Sequence, residues 1–158
     1  MPIYLNKRTL MSLEKRFEYI FKLENRYPGA PSVMPKVIDK DVFIVDDLEV
    51  TPIEVMHGDI PITGYRLGDF AYLTDVKTVS DKEKRKLQNL EVLVVSALRI
   101  EEHPTHFNLQ EALDFVADVK PQKAYFTHIS HMLGFHEIVS KTLPDNVFLA
   151  YDGLKIIV

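Results

Sequence analysis

A mixed α/β fold is predicted for this chain on three observations. A series of β-type segments runs through residues 36–75, and helix-period and strand-period stretches alternate after residue 80. No apolar run approaches the ~20 residues needed to span a bilayer. The 158 residues, 46% of them hydrophobic, amount to one domain with a sizeable core. Within it, residues 1–35 read as a helix and a Pro-rich loop, and residues 36–158 as a sheet with helices.

Taken in order, PIYL at 2–5 reads as a short strand. Leu10, Leu13, Phe17 and Phe21 then recur at helical spacing, which predicts a helix over 7–22 capped by Asn6. Three prolines and a glycine make 24–36 a loop. The segments KVID, VFIVDD, LEVTPIEVMH, ITGYRL and FAYLTD follow as strands, with Gly68-Asp69 as the two-residue hairpin loop between the last two. Ser80 and Glu83 stand at capping-box spacing before a helix near 81–89. The continuous apolar run at 92–98 is a strand covered on both faces. Asn108 and Glu111 repeat the capping spacing, and Leu109, Ala112, Leu113 and Val116 mark a helix over 109–119. A strand at 123–127, a short helix near 133–142, a strand at 147–151, the turn Asp152-Gly153 and a last strand LKIIV complete the chain.

Composition narrows the chemistry. Lys and Arg number 19 against 23 Asp and Glu, a net charge of −4, so no overall basic field recruits nucleic acid or anionic membrane. Residues 1–30 lack the apolar core of a signal peptide, which makes a cytoplasmic address the expectation. Cysteine is absent, which removes disulfides, thiol nucleophiles, iron–sulfur clusters and thiolate zinc sites together. A metal ion must therefore be held by carboxylates and by some of the six histidines.

Four polar residues share one kind of position. His57, Asp75 and His128 each end a predicted strand, and His106 lies in the loop leading into the helix at 109–119. Strand ends on a layered scaffold are where sites are assembled, and two imidazoles with a carboxylate form a good ligand set for Zn²⁺ or Mn²⁺. Each residue also has an ordinary reading: His57 as a turn residue before Gly58, Asp75 as a strand terminator, His106 as part of a helix cap. His103, before Pro104, reads as a loop residue and His136 as structural. The KEKRK run at 82–86 reads as a solvated helix face.

The order His57-Gly58, GYRLGDFAYLTD, HPTHFNLQEAL and AYFTHISH resembles the C-terminal part of a metallo-β-lactamase-fold hydrolase. It is most similar to the phosphoribosyl cyclic phosphate phosphodiesterase group, with the tRNA 3′-processing endonucleases next. The resemblance runs from about Val50 to Val158 and implies an αββα sandwich, here as a mostly antiparallel curved sheet with outer helices. It further implies two divalent ions, Mn²⁺ or Zn²⁺, in the complete site. By position, His57 resembles a ligand of the first metal, Asp75 the carboxylate bridging both, and His128 a ligand of the second. His106 matches the non-ligand histidine that protonates a leaving group, and His131 a further phosphate contact. The implied reaction is metal-dependent hydrolysis of a small, cyclic phosphodiester.

The family's HxHxDH signature is absent, and no histidine precedes His57. The chain is accordingly expected to be the C-terminal portion of the sandwich and inactive alone. Two alternatives remain: a non-catalytic half-domain serving as a binding or assembly module, and a tRNA 3′-processing-like nuclease, which the acidic balance disfavours. A sheet lacking its facing layer should expose alternate side chains of FIV, FAYL and VLVV, so a homo-oligomer through that sheet is expected.

Overall fold

The computed structural model describes residues 1–21 and 28–158, which form two compact units, Met1–Phe43 and Ile44–Val158. In the first, strand β1 (Pro2–Leu5) leads into helix α1 (Lys7–Arg16). The Asn6 side chain accepts from the Thr9 amide at 2.8 Å, the cap read from the sequence. The predicted single helix over 7–22 is broken at Phe17 (φ −127°, ψ 41°) and resumes as α2 (Glu18–Phe21). Residue 22 lies outside the described residues. Strand β2 (Met34–Val37) begins two residues before the expected KVID strand and pairs in parallel with β1, Pro2 opposite Met34 and Leu5 opposite Val37.

A seven-stranded sheet follows, its strands side by side in chain order: β3 (Phe43–Val45), β4 (Leu48–His57), β5 (Ile60–Leu67), β6 (Phe70–Leu73), β7 (Val92–Ser96), β8 (Lys123–Thr127) and β9 (Val147–Leu149). Tight turns make β4–β5 and β5–β6 antiparallel. From β6 to β9 each connection is a longer crossover and the pairs are parallel. These crossovers carry α3 (Asp81–Arg85), α4 (Leu109–Val119) and α5 (His136–Val139).

One face of the sheet carries the core. Leu73, Val95, Phe126 and Leu149 stand in register across four strands and are buried. Ala112, Phe115, Val116 and Val119 of α4 join the same apolar cluster. Gly64 of β5 is required there, since a Cβ would meet Leu73 Cδ2 at 2.3 Å. The opposite face carries a row of aromatics: Tyr65, Tyr72, Tyr125 and Phe148, with Val94 between the two central tyrosines. Tyr72 and Phe148 are 44% and 40% exposed, and the Tyr125 and Phe148 rings stack at 5.3 Å. Alternation leaves Tyr72 of FAYL and Phe148 outward, but β7 is buried along its whole length, Val94 included, so the exposure expected of VLVV is not found.

Three segments depart from expectation. The helix near 133–142 is three short pieces, a 3₁₀ turn (His131–Leu133), α5 and a second 3₁₀ turn (Ser140–Thr142); Gly134, at φ 109°, separates the first piece from α5, which runs directly into the last. LKIIV forms no strand and Ile157 is 93% exposed, although Leu154 and Ile156 are half-buried; among the described residues the segment pairs with no ladder. In the KEKRK run, Glu83 is buried and its carboxylate accepts the Glu54 amide at 3.0 Å and the Lys86 ammonium at 2.8 Å. That run fastens α3 to β4 as well as facing solvent. No helix among the described residues is long and apolar enough to cross a membrane.

Candidate active site

The ends of β4, β6, β7 and β8 are tied together by backbone hydrogen bonds made one or two residues from each candidate side chain. Met56, beside His57, donates to Thr78 O at 2.9 Å and accepts from the Lys77 amide at 2.6 Å. This lays the segment after Asp75 against the end of β4. Val76, beside Asp75, accepts from the Phe107 amide at 2.6 Å, and Phe107 in turn accepts from Leu98 at 2.9 Å. Ser130 donates to Leu98 O at 2.9 Å, which brings in the segment after His128. The buried Ser96 hydroxyl accepts from the Val76 amide at 3.2 Å and braces the centre.

Two of the strand-end residues leave the β region altogether. Asp75 takes φ 58° and His128 φ 59°, left-handed conformations in which Asp and His are enriched among non-glycine residues. Each turn redirects its side chain off the end of a parallel strand.

The result is a contiguous cluster. His128 Nε2 lies 3.3 Å, and His106 Nδ1 3.6 Å, from Asp75 Oδ1. The His106 ring is central, with ring centroids of His57, His103 and His128 at 4.6, 4.9 and 4.9 Å. One ligand atom from each of His57, Asp75 and His106 lies within 4.8 Å of the others. His57 Nδ1 stands 2.9 Å from Thr105 O. A carbonyl only accepts, so this nitrogen carries the proton and Nε2 keeps the lone pair that binds a cation. His106 Nδ1 is buried with no hydrogen-bond partner among the described residues, an orphan that a ligand would satisfy. Loss of hydration, then the His57 and His128 rings, lowers the His106 pKa against the raising pull of Asp75. His103 is lowered in the same way, by desolvation and then by the Arg99 and Lys77 charges. These donors fit a divalent cation.

The structure therefore brings together His57, Asp75, His106 and His128. His131 is exposed at the first residue of its 3₁₀ turn, and no contact among the described residues joins it to the cluster. His136 is structural as expected: its Nε2 lies 3.3 Å from Leu149 O and its ring meets Tyr151 edge-on. His103, read from the sequence as a loop residue, is a fourth imidazole of the cluster. The three-residue spacing of HPTH is the signal that could have found it. Beside His128 a cavity of about 310 Å³ is lined by Thr127, Ile129, Ala150, Tyr151 and Asp152.

Residues 1–129 match the family described as a β-lactamase superfamily domain. An octanoyltransferase of Porphyromonas gingivalis is 33% identical over 160 aligned positions, covering 100% of this chain and 32% of that protein. Among solved structures, a diphosphatase from the PhnP family superposes with a TM-score of 0.89 at 34% identity. That match covers 99% of this chain and 58% of the diphosphatase. Zn²⁺-bound PqqB from Methylobacterium extorquens reaches 0.72 at 17% identity, over 100% of this chain and 62% of its own, a likeness of fold alone. The chain thus spans about a third of the curated relative and under two thirds of either solved neighbour.

Proposed function

The chain belongs to the β-lactamase superfamily, hydrolases of metallo-β-lactamase fold, and from that premise we propose that its clustered imidazoles and carboxylate serve metal-dependent hydrolysis of a small phosphodiester. The observation that carries the reading is the convergence of His57, Asp75, His106 and His128 on one rim, with an unsatisfied buried nitrogen at its centre. His57 through Nε2 with the Asp75 carboxylate would hold one divalent cation, and His128 with Asp75 a second, Zn²⁺ or Mn²⁺ in each case. Such an ion supplies positive charge to the phosphoryl group and acidifies water.

The chain's own residues supply the rest. His106, 12% exposed at its side chain, rests neutral because desolvation and two neighbouring rings disfavour its proton. An incoming phosphoryl anion reverses that balance and loads the proton beside the departing oxygen, where a general acid is needed. The cavity next to His128 is of small-molecule size, at the lower end of ordinary ligand pockets. His131, exposed three residues beyond His128, is the outer contact for the anion in this reading. The diphosphatase relative acts on phosphorus–oxygen linkages by its name, which favours a phosphate substrate over an acyl one.

The test is a Zn²⁺ and Mn²⁺ titration by calorimetry, followed by hydrolysis of an aryl phosphodiester and of a five-membered cyclic phosphodiester. Binding that survives both H57A and D75N, or no binding by wild type, overturns the reading. A second reading, an assembly module, is favoured by the aromatic row in which Tyr72 and Phe148 are exposed and Tyr65 and Tyr125 half-buried. In it the sheet face pairs with that of a second copy.

A further inference from the structure

Thr105 touches two imidazoles of the cluster with opposite consequences. Its carbonyl lies 2.9 Å from His57 Nδ1 and can only accept, so His57 is protonated on Nδ1. Its amide lies 3.3 Å from His103 Nδ1 and can only donate, so that nitrogen carries the lone pair and the His103 proton sits on Nε2. The Thr105 hydroxyl, also 3.3 Å from His103 Nδ1, either donates or accepts and so is compatible with that choice. One residue thereby sets His57 as a lone-pair donor at Nε2 and His103 as a hydrogen-bond donor at Nε2.

The surroundings say what that donor is for. The Arg99 guanidinium donates to Glu101 O at 3.2 Å and Glu102 O at 2.6 Å, which shapes the loop that carries His103. Lys77 is held by the Glu111 carboxylate at 2.6 Å. Both cations disfavour a proton on His103, and each is anchored to neighbouring oxygens, Arg99 to the two loop carbonyls and Lys77 to Glu111, with Glu102 at 3.8 Å. They create a positive setting without reaching into it. Among the described residues the His103 Nε2–H has no protein partner, and its ring stands 4.9 Å from that of His106. A neutral imidazole donor in a positive setting, beside a cluster suited to a cation, matches a phosphoryl oxygen.

We propose that His103 is a further substrate-binding residue, fixed by Thr105 in its Nε2–H form and donating a hydrogen bond to a phosphoryl oxygen of the substrate. The inference rests on the phosphoester reading above and adds a residue that sequence reasoning set aside. It also assigns Thr105 as the positioning residue for both imidazoles.

Two measurements test it on the full chain. Long-range ¹⁵N–¹H imidazole spectra of the metal-free protein at pH 8 should show His57 with Nδ1–H and His103 with Nε2–H. The opposite form at His103 overturns the inference whatever the protein binds. Inorganic phosphate is then titrated into the Zn²⁺-loaded protein. H103N keeps an acceptor near the Nδ1 position and loses the Nε2 donor, so phosphate should bind roughly tenfold to hundredfold more weakly. H103Q places an amide N–H near Nε2 and should restore most of the affinity. Equal weakening in both variants assigns His103 to loop structure and overturns the proposal, as does H103N binding like wild type. Wild-type protein that binds Zn²⁺ but no phosphate overturns the phosphoester reading and the inference together, whereas loss confined to the variant comparison leaves that reading standing.

Discussion

Gly58 is where the site's geometry can be tested with one methyl group. It follows His57 with φ +60°, and a Cβ built there would lie 3.0 Å from Thr105 Cγ2. Two costs follow from G58A. Alanine held in the left-handed region costs roughly 1–2 kcal/mol, offset by about 0.4–1 kcal/mol from the stiffer unfolded chain. The methyl contact adds to this, because Thr105 must retreat by a few tenths of an ångström, and its carbonyl is the acceptor that orients His57. A net loss of about 1–2 kcal/mol is expected once the contact is added to the backbone cost. Disturbing a group that orients a ligand typically lowers metal affinity ~10–100-fold, and Zn²⁺ binding should fall within that range. Urea unfolding at 25 °C and Zn²⁺ calorimetry read the two effects. T105S removes Cγ2 while keeping the hydroxyl, so the G58A/T105S pair separates contact from backbone strain in a double-mutant cycle. A coupling of about 0.5 kcal/mol or more, with Zn²⁺ affinity restored in the double variant, is the expected outcome. Additive stabilities together with unchanged affinity in G58A would show that Thr105 does not hold His57 through this contact.

Other perturbations follow from the same geometry. N108A deletes the half of the α4 capping box in which the Asn108 side chain accepts from the Glu111 amide at 2.8 Å, leaves the backbone Asn108 N–H on the Glu111 carboxylate at 2.9 Å, and should cost about 1 kcal/mol by urea unfolding. F126A empties a fully buried site in the core and should cost about 3–5 kcal/mol. His106 has a folded pKa below its unfolded value of about 6.5, so the unfolded metal-free chain takes up the proton first on acidification. Stability is therefore full above about pH 6.5 and falls as pH drops toward the folded pKa; H106Q should flatten that part of the pH profile. If the aromatic row of the outer sheet face pairs two copies, light scattering after gel filtration should give a dimer that Y72K/F148K converts to monomer, and a wild-type monomer at high concentration would end the assembly reading.

Local signals in the sequence were sufficient where each element carried its own boundaries. The helix over 109–119 is capped at Asn108 and ended by Lys120 in the left-handed region, and the strand at 123–127 was placed to the residue. Expectation failed where apolar pattern lacked either a partner or continuity. LKIIV alternates like a strand but meets no ladder, and Gly134 divides a stretch whose periodicity alone reads as one helix. Strand direction was not locally encoded either. The same kind of apolar run serves antiparallel β4–β5 and parallel β7–β8, and the length of the intervening segment decides between them.

The site divides along the same line. His57, Asp75 and His128 were identifiable because each ends a strand, and a strand end has one place to be once the sheet order is set. His103 was not, since its place depends on a loop closed by Leu98 and Phe107 and shaped by the Arg99 guanidinium. No periodicity reports such closure. His131 shows the converse: it lies three residues from His128, but the 3₁₀ turn leaves it exposed and outside the cluster's contacts. What joins the cluster is therefore a matter of which backbone amides the loop satisfies. Thr105 makes the point most sharply, because its two backbone groups set opposite protonation on neighbouring imidazoles while its side-chain methyl faces Gly58. A substitution that preserves residue type at all four strand-end and loop positions can still disturb the cluster if it shifts either of the two peptide units that meet at Thr105.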